Sequence, residues 1–232
     1  MSKGYFDLGN TSLKVFDSKG VLLGTFSCLE VSWIEDLVKA SKSWQFTDVV
    51  VASVAVPKKL ALIIDSLPEI NFERAASNKG HWTVMHCYKD PSKLGIDRLL
   101  AIEAAYREVR GSLVVIDCGS AITIDAVSAE GQHLGGYIVP GFRLQMRSLL
   151  DGTNLRFAED DPGLALGCST TECIRHGSLR MIHAFCQSVI DEINPERVFI
   201  TGGDIKGVLN SLSVFGEQDD LLVFKGLKSV YA

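Results

Sequence analysis

One short device occurs twice in this chain, and the repetition limits the fold more than any other feature. Residues 7–14 read DLGNTSLK and residues 117–125 read DCGSAITID, so two Asp-x-Gly turns lie 110 residues apart. Each follows a short apolar run, Tyr5 and Phe6 in the first copy and Ser112 to Ile116 in the second. Each leads into alternating residues, Leu13 and Val15 against Lys14 and Phe16, then Ile122 and Ile124 against Thr123 and Asp125. That period of two predicts strands. A glycine turn follows in both, SKG at 18–20 and AEG at 129–131, which puts 13 residues between Asp7 and Gly20 and 14 between Asp117 and Gly131. Agreement in length as well as residue type argues for a duplicated three-strand meander.

Behind each meander the pattern changes to helix alternating with strand, as mixed sheets covered by helices require. Trp33, Ile34, Leu37 and Val38 predict a helix, DVVVASV a buried strand, and Leu60, Ala61, Ile64 and Leu67 a helix opened by Pro57. WTVMH at 82–86 predicts a further strand, and Leu99, Ile102, Tyr106 and Val109 a helix after GIDR. In the second half Ile174, Met181, Phe185, Val189 and Ile193 form one stripe of a long helix, RVFITGG predicts a strand, and LLVFKGL a last strand and turn. The expected fold class is α/β, with a boundary near Arg110 separating domains 1–110 and 111–232.

With 232 residues, 47% of them apolar, the chain can bury a sizeable core. A net charge of -5 offers no broad basic face for nucleic acid or anionic lipid, so any anionic ligand has to be held locally. The six cysteines make no CxxC pair, which fits reduced thiols. With neither a signal-peptide succession nor an apolar run of about 18 residues, the expectation is a cytoplasmic protein without membrane or nucleic-acid partners.

Asp and Gly are common in turns for purely local reasons. Two copies facing each other across a cleft suggest more. Turn amides that point outward bind phosphate oxygens, glycine lets the backbone approach closely, and Asn10, Thr11 and Ser120 add donors. Asp7 and Asp117 would repel phosphate directly, and they make sense if a cation intervenes.

DLGNTSLK at 7–14, GIDR at 95–98, DCGSAITID at 117–125, GGYIVPG at 135–141 and TGGD at 201–204 follow the order and spacing of the type III pantothenate kinases, which the chain resembles over nearly its whole length. The resemblance implies the duplicated actin-like ATPase architecture, two ribonuclease H-like domains with mixed sheets flanked by helices. It also implies ATP-dependent phosphorylation of pantothenate, the first step towards coenzyme A. On this likeness Asp7, Leu8, Gly9, Asn10, Thr11, Ser12, Leu13 and Lys14 form the first phosphate-binding motif, with Asp7 near Mg²⁺ and Lys14 near the transferred phosphate. Asp97 resembles the base that accepts the hydroxyl proton. Tyr88, Gly95, Ile96, Asp97 and Arg98 would hold pantothenate, together with Thr170. Asp117 matches a ligand of a monovalent cation, K⁺ or NH4⁺. Ser120, Gly202 and Gly203 would touch ATP. A homodimer is implied as well, and the long helix at 170–193 offers an apolar face for it.

Alternatives remain at this stage. Asp97 would also serve as an ordinary acid in a first helical turn. Asp125 either supports the cleft or ends a hydrogen-bond ladder, and Lys58 and Lys59 read as a solvated helix start. His81 and His86 lack a Cys or carboxylate at zinc spacing, and His176 and His183, seven apart on one helix face, read as surface or interface residues rather than metal ligands. Ser120 stands where Thr is commoner in the family, and TNLRFAEDD at 153–161 lacks the usual Leu-Pro. A noncatalytic ATP-binding regulator on the same fold would keep the turns without the chemistry. A nuclease of ribonuclease H type would use the same aspartates but should carry a basic stripe.

Overall fold

The computed structural model describes residues 2–150, 163–203 and 206–231. All of the 153–161 segment and Asp204 of TGGD thus lie outside the described residues. Ten strands form two five-stranded sheets, and their contacts divide the chain into two compact units, Met1–Ala104 with Leu221–Ala232, and Ala105–Asp220. The division falls inside a helix, between Ala104 and Ala105 rather than at 110, and the last segment belongs to the first unit.

In the first unit β1 (Ser2–Leu8), β2 (Ser12–Phe16), β3 (Leu22–Ser27), β4 (Phe46–Ser53) and β5 (Asn71–Arg74) are ordered β3-β2-β1-β4-β5. Antiparallel meander pairs give way to parallel pairing of β1 with β4 and β4 with β5. The second unit repeats the plan with β6 (Leu113–Cys118), β7 (Ala121–Val127), β8 (His133–Pro140), β9 (Arg197–Gly202) and β10 (Glu217–Gln218), ordered β10-β9-β6-β7-β8. Strand for strand, this is the duplication that the two Asp-x-Gly turns announce.

Helices α1 (Trp33–Ser41) and α2 (Pro57–Ser66) cover one face of the first sheet, where Phe6, Leu8, Leu13, Val15, Val49 and Val51 pack with Trp33, Leu37, Leu60 and Ile63. Each such large side chain contributes about 1.5–3 kcal/mol by leaving water. Because strand side chains alternate, burying Phe6 and Leu8 on this face turns Asp7 to the other, directly opposite Lys14. On the second sheet Ile116, Cys118, Ile122 and Ile124 pack with Phe142 of α4 (Phe142–Leu150) and with Leu179, Ile182 and Cys186 of α5 (Thr170–Ile193), and the same alternation turns Asp117 away from that core.

Three expectations need correction. LLVFKGL is helical, part of α7 (Leu222–Val230), and α6 (Lys206–Leu212) precedes it. A short apolar run cannot by itself separate a strand from a buried helix. Here Phe224 packs on Tyr5 and Phe16, at centroid distances of 5.5 and 5.1 Å, and a Cβ on Gly226 would lie 2.2 Å from the Leu100 carbonyl oxygen, so the helix needs glycine for its close approach. WTVMH is irregular apart from an isolated bridge at Met85. Of the predicted stripe on the long helix, Val189 is buried and Ile174, Phe185 and Ile193 pack against the core beside Leu179, Ile182 and Cys186, but Met181 is 58% exposed and does not belong to it.

The remaining helix, α3 (Ile96–Val109), is buried around nearly its whole circumference, with Leu99, Leu100, Ala101, Ile102, Ala104 and Ala105 beside the charged Arg98 and Glu103. Such a helix belongs inside a protein. No helix among the described residues is long and apolar enough to cross a membrane.

Candidate active site

In the first unit the carboxyl ends of parallel strands β1 and β4 carry the candidate residues, the usual place for ligand sites in open α/β sheets. The turn after β1 is closed by the Gly9 amide donating to the Ser12 carbonyl at 2.9 Å, and the Cys28 amide holds the Thr11 carbonyl at 2.8 Å. The second turn closes the same way, from the Gly119 amide to the Ala121 carbonyl at 3.0 Å. These two glycine amides are therefore committed to closing the turns. Neither glycine has a positive φ, and a Cβ would meet only ordinary contacts, 3.5 Å from the Ser12 oxygen at Gly9 and 3.7 Å from the Ala121 oxygen at Gly119. Folding alone does not demand glycine at either position.

Asp7 sits deep enough that burial pushes its carboxyl up to about 6, with Lys14 opposing the rise and the neighbouring Asp97 charge adding to it. Two sequence-distant aspartates, Asp7 at a strand end and Asp97 in the first turn of α3, are thus within electrostatic reach of each other and of Lys14. The Asp97 carboxylate accepts from the Arg98 amide at 2.7 Å, and a Cβ on Gly95 would come within 2.7 Å of it, so Gly95 leaves the space that this carboxylate occupies. Ile96 and Arg98 are buried, and an Arg98 guanidinium N–H donates to the Tyr88 hydroxyl at 3.1 Å. GIDR and Tyr88 form one constellation with Asp7 and Lys14.

In the second unit Asp117 lies opposite Thr123, where Asp7 lies opposite Lys14. The two devices therefore differ in the residue that faces the aspartate across the hairpin, a lysine in the first and a threonine in the second. Ser120 is exposed, and its carbonyl accepts from the Gly141 amide at 3.1 Å. Gly141 is sterically required, since a Cβ there would sit 2.2 Å from the Gly119 oxygen; this ties GGYIVPG to the DCGS turn. Gly202 has φ +121 and lies opposite Cys118 in the sheet, where a Cβ would fall 2.1 Å from the Cys118 carbonyl. Gly203 follows it at the exposed strand end, and Thr170 stands exposed at the start of α5, behind the N-cap Ser169. Asp125, left open in the sequence, is buried with its Oδ1 2.8 Å from His133 Nε2.

The sequence of the type III pantothenate kinases as a family matches residues 5–192. The chain belongs to that family. A type III pantothenate kinase from Alcanivorax borkumensis is 36% identical to it, covering 98% of both chains, and one from a Marinomonas species is 33% identical over 97% of this chain and 92% of its own. Among solved structures it is similar to a conserved Baf-family transcriptional activator from Campylobacter jejuni, so described, at 22% identity and TM-score 0.66, covering 97% of this chain and 95% of that one. It is also similar to MreB5 of Spiroplasma citri bound to ADP, at 10% identity and TM-score 0.54, covering 98% and 95%. These structural likenesses speak for the actin-like ATPase fold shared by this family member.

Two residues of the site were passed over in the sequence. Lys59 is no freely solvated lysine, for its Nζ donates to the Asn10 carbonyl at 2.5 Å across 49 residues. Only the fold could reveal that. Glu103 is fully buried on α3. Its signal was available, a single carboxylate inside the apolar run LLAIEAA at 99–105.

Proposed function

We infer that this chain transfers the γ-phosphoryl group of ATP to the hydroxyl of pantothenate, giving 4'-phosphopantothenate and ADP, the first step of coenzyme A biosynthesis. The observation that carries this reading is the family match together with Asp7, Lys14 and Asp97 in one electrostatic neighbourhood. In this reading Asp97 accepts the hydroxyl proton as the oxygen bonds to the γ-phosphorus and ADP leaves with the bridging oxygen's electron pair. Arg98 and Tyr88, with Gly95 and Ile96 shaping the floor, hold pantothenate, and the planar guanidinium suits its carboxylate. Thr170 adds a contact to the substrate. Residues 7–14, Ser120, Gly202 and Gly203 bind ATP, with Lys14 on the transferred phosphate.

Two cations belong to the same reading. Asp7 fits Mg²⁺: burial and the Asp97 charge raise its carboxyl more than Lys14 lowers it, and a hard oxygen donor is what that ion takes. When bound, such an ion neutralises charge developing on the phosphoryl oxygens. Asp117 fits K⁺ or NH4⁺ through the same kind of oxygen donor. Two ribonuclease H-like halves, 1–110 and 111–232 as the sequence divides them but with the segment from Leu221 belonging to the first, and a cytoplasmic location complete the proposal.

The test is ADP release from purified protein with ATP, Mg²⁺, K⁺ and pantothenate. Turnover that requires pantothenate is expected; nucleotide binding without it would favour the noncatalytic regulator. We further propose a homodimer, supported by the exposed apolar surface of β8 and α5, where Leu134, Tyr137, Ile138 and Met181 are 56, 49, 62 and 58% exposed. Sedimentation at micromolar concentration should give the dimer mass, and a monomer alone would refute the assignment.

A further inference from the structure

The reaction as described makes no use of the one carboxylate buried inside α3. Glu103 is 0% exposed and lies on the same helix as Asp97 and Arg98. Burying a carboxylate is costly unless it is fully hydrogen-bonded. Both oxygens of Glu103 accept from the Thr83 amide, at 2.9 and 3.0 Å, and one also accepts from the Val84 amide at 2.8 Å. Those amides belong to the irregular segment 81–84, where no sheet neighbour satisfies them. Four residues after Val84 the same segment reaches Tyr88, whose hydroxyl takes the Arg98 hydrogen bond at 3.1 Å. The segment is thus tied to α3 twice, at its start by Glu103 and at its end by Arg98. Its upstream side is held too: the Tyr231 hydroxyl bonds to Ala76 and Lys79, and the His81 amide donates to the Val230 carbonyl at 3.4 Å.

We propose that Glu103 is a positioning residue for pantothenate recognition, a buried strut that sets the Tyr88-bearing segment on α3 so that Tyr88 and Arg98 meet the substrate in fixed register. It touches neither substrate nor nucleotide. This rests on the proposed function, which supplies the substrate that Tyr88 and Arg98 bind.

Glu103→Gln keeps the shape but replaces one acceptor oxygen with an N–H donor set against an amide. A hydrogen bond to a charged group is lost, which corresponds to a rise in KM for pantothenate of about tenfold or more. KM for ATP and kcat should stay within about threefold. In a Tyr88→Phe background the same substitution should add less than about twofold, because its effect passes through Tyr88. Equal increases in both KM values, or full additivity with Tyr88→Phe, would reduce Glu103 to a structural role and overturn the proposal. Should Glu103→Gln not fold, amide exchange of the wild type decides. Slow exchange at Thr83 and Val84, slowed further by pantothenate but not by ATP, is expected; fast exchange there overturns the strut. A wild-type protein that neither binds nor phosphorylates pantothenate overturns the proposed function, whereas an active wild type with an unmoved KM in Glu103→Gln overturns the strut alone.

Discussion

Replacing Asp97 by Asn is expected to lower kcat for pantothenate phosphorylation by about 10²–10⁴, the contribution of a positioned general base. That corresponds to about 3–5 kcal/mol of barrier. The side chain keeps its size, and the amide oxygen can still accept the Arg98 amide bond at 2.7 Å. What it loses is the capacity to take a proton. KM for either substrate should change little, because in this role Asp97 acts in the transition state and hardly in the ground state. Single-turnover phosphate transfer measured beside steady-state kcat would separate chemistry from product release. A rate within a factor of two of wild type, in a variant that unfolds at the same temperature, would remove Asp97 from the mechanism. The substitution has a second consequence through Asp7. The Asp97 charge helps raise the Asp7 carboxyl, so Asp97→Asn should bring it down, visible as a lower midpoint in its carboxyl carbon titration.

The parts of this fold that were legible in the sequence are those where one local rule decides the outcome. Alternation in Leu13 and Val15 and in Ile122 and Ile124 fixes the faces of β2 and β7, and that in turn fixes which way Asp7 and Asp117 point. Pro57 opens α2 as helix-start chemistry predicts. Where tertiary contacts decide, the sequence misleads. Trp82, Thr83 and Val84 have strand-forming side chains, yet a carboxylate from α3 takes the amides that a neighbouring strand would have used. Leu222, Phe224 and Leu227 suit a strand or a helix equally, and the close approach allowed by Gly226 selects the helix.

The site was legible in the same uneven way. Asp7, Asp97 and Arg98 are recognisable from motifs because each motif is short and contiguous. Gly141 and Gly202 are the glycines that the fold requires sterically, at 2.2 and 2.1 Å from backbone oxygens, while Gly9 and Gly119 are not. A motif thus mixes glycines that the fold requires sterically with glycines that it does not, and only contact distances sort them. Lys59 and Glu103 act on backbone groups many residues away, which leaves no spacing to read.

Asp7→Asn should make the ligand-free protein more stable at neutral pH while disabling the enzyme, a separation that a purely structural aspartate could not produce. An acid whose carboxyl is raised to about 6 in the folded state, from 3.8, binds its proton more tightly folded than unfolded. Stability from that proton is fully present below pH about 4 and is lost as pH rises through about 6. Above that the ionised carboxylate is a net cost of up to about 3 kcal/mol, at about 1.4 kcal/mol per pH unit. Because Asp7 keeps partial exposure to solvent, about 1–2 kcal/mol is the expected size. In chelator and without nucleotide, Asp7→Asn should therefore raise the unfolding free energy by that amount at pH 7.5, and by almost nothing at pH 4, where the wild-type carboxyl is already protonated. Denaturant titrations at the two pH values measure this directly. Activity should fall by at least about 10², the usual loss when a group that stabilises transition-state charge is removed. Stability at pH 7.5 equal to or below that of wild type would mean that Asp7 already has a compensating partner in the folded protein, and the assignment of its charge to a cation would fail.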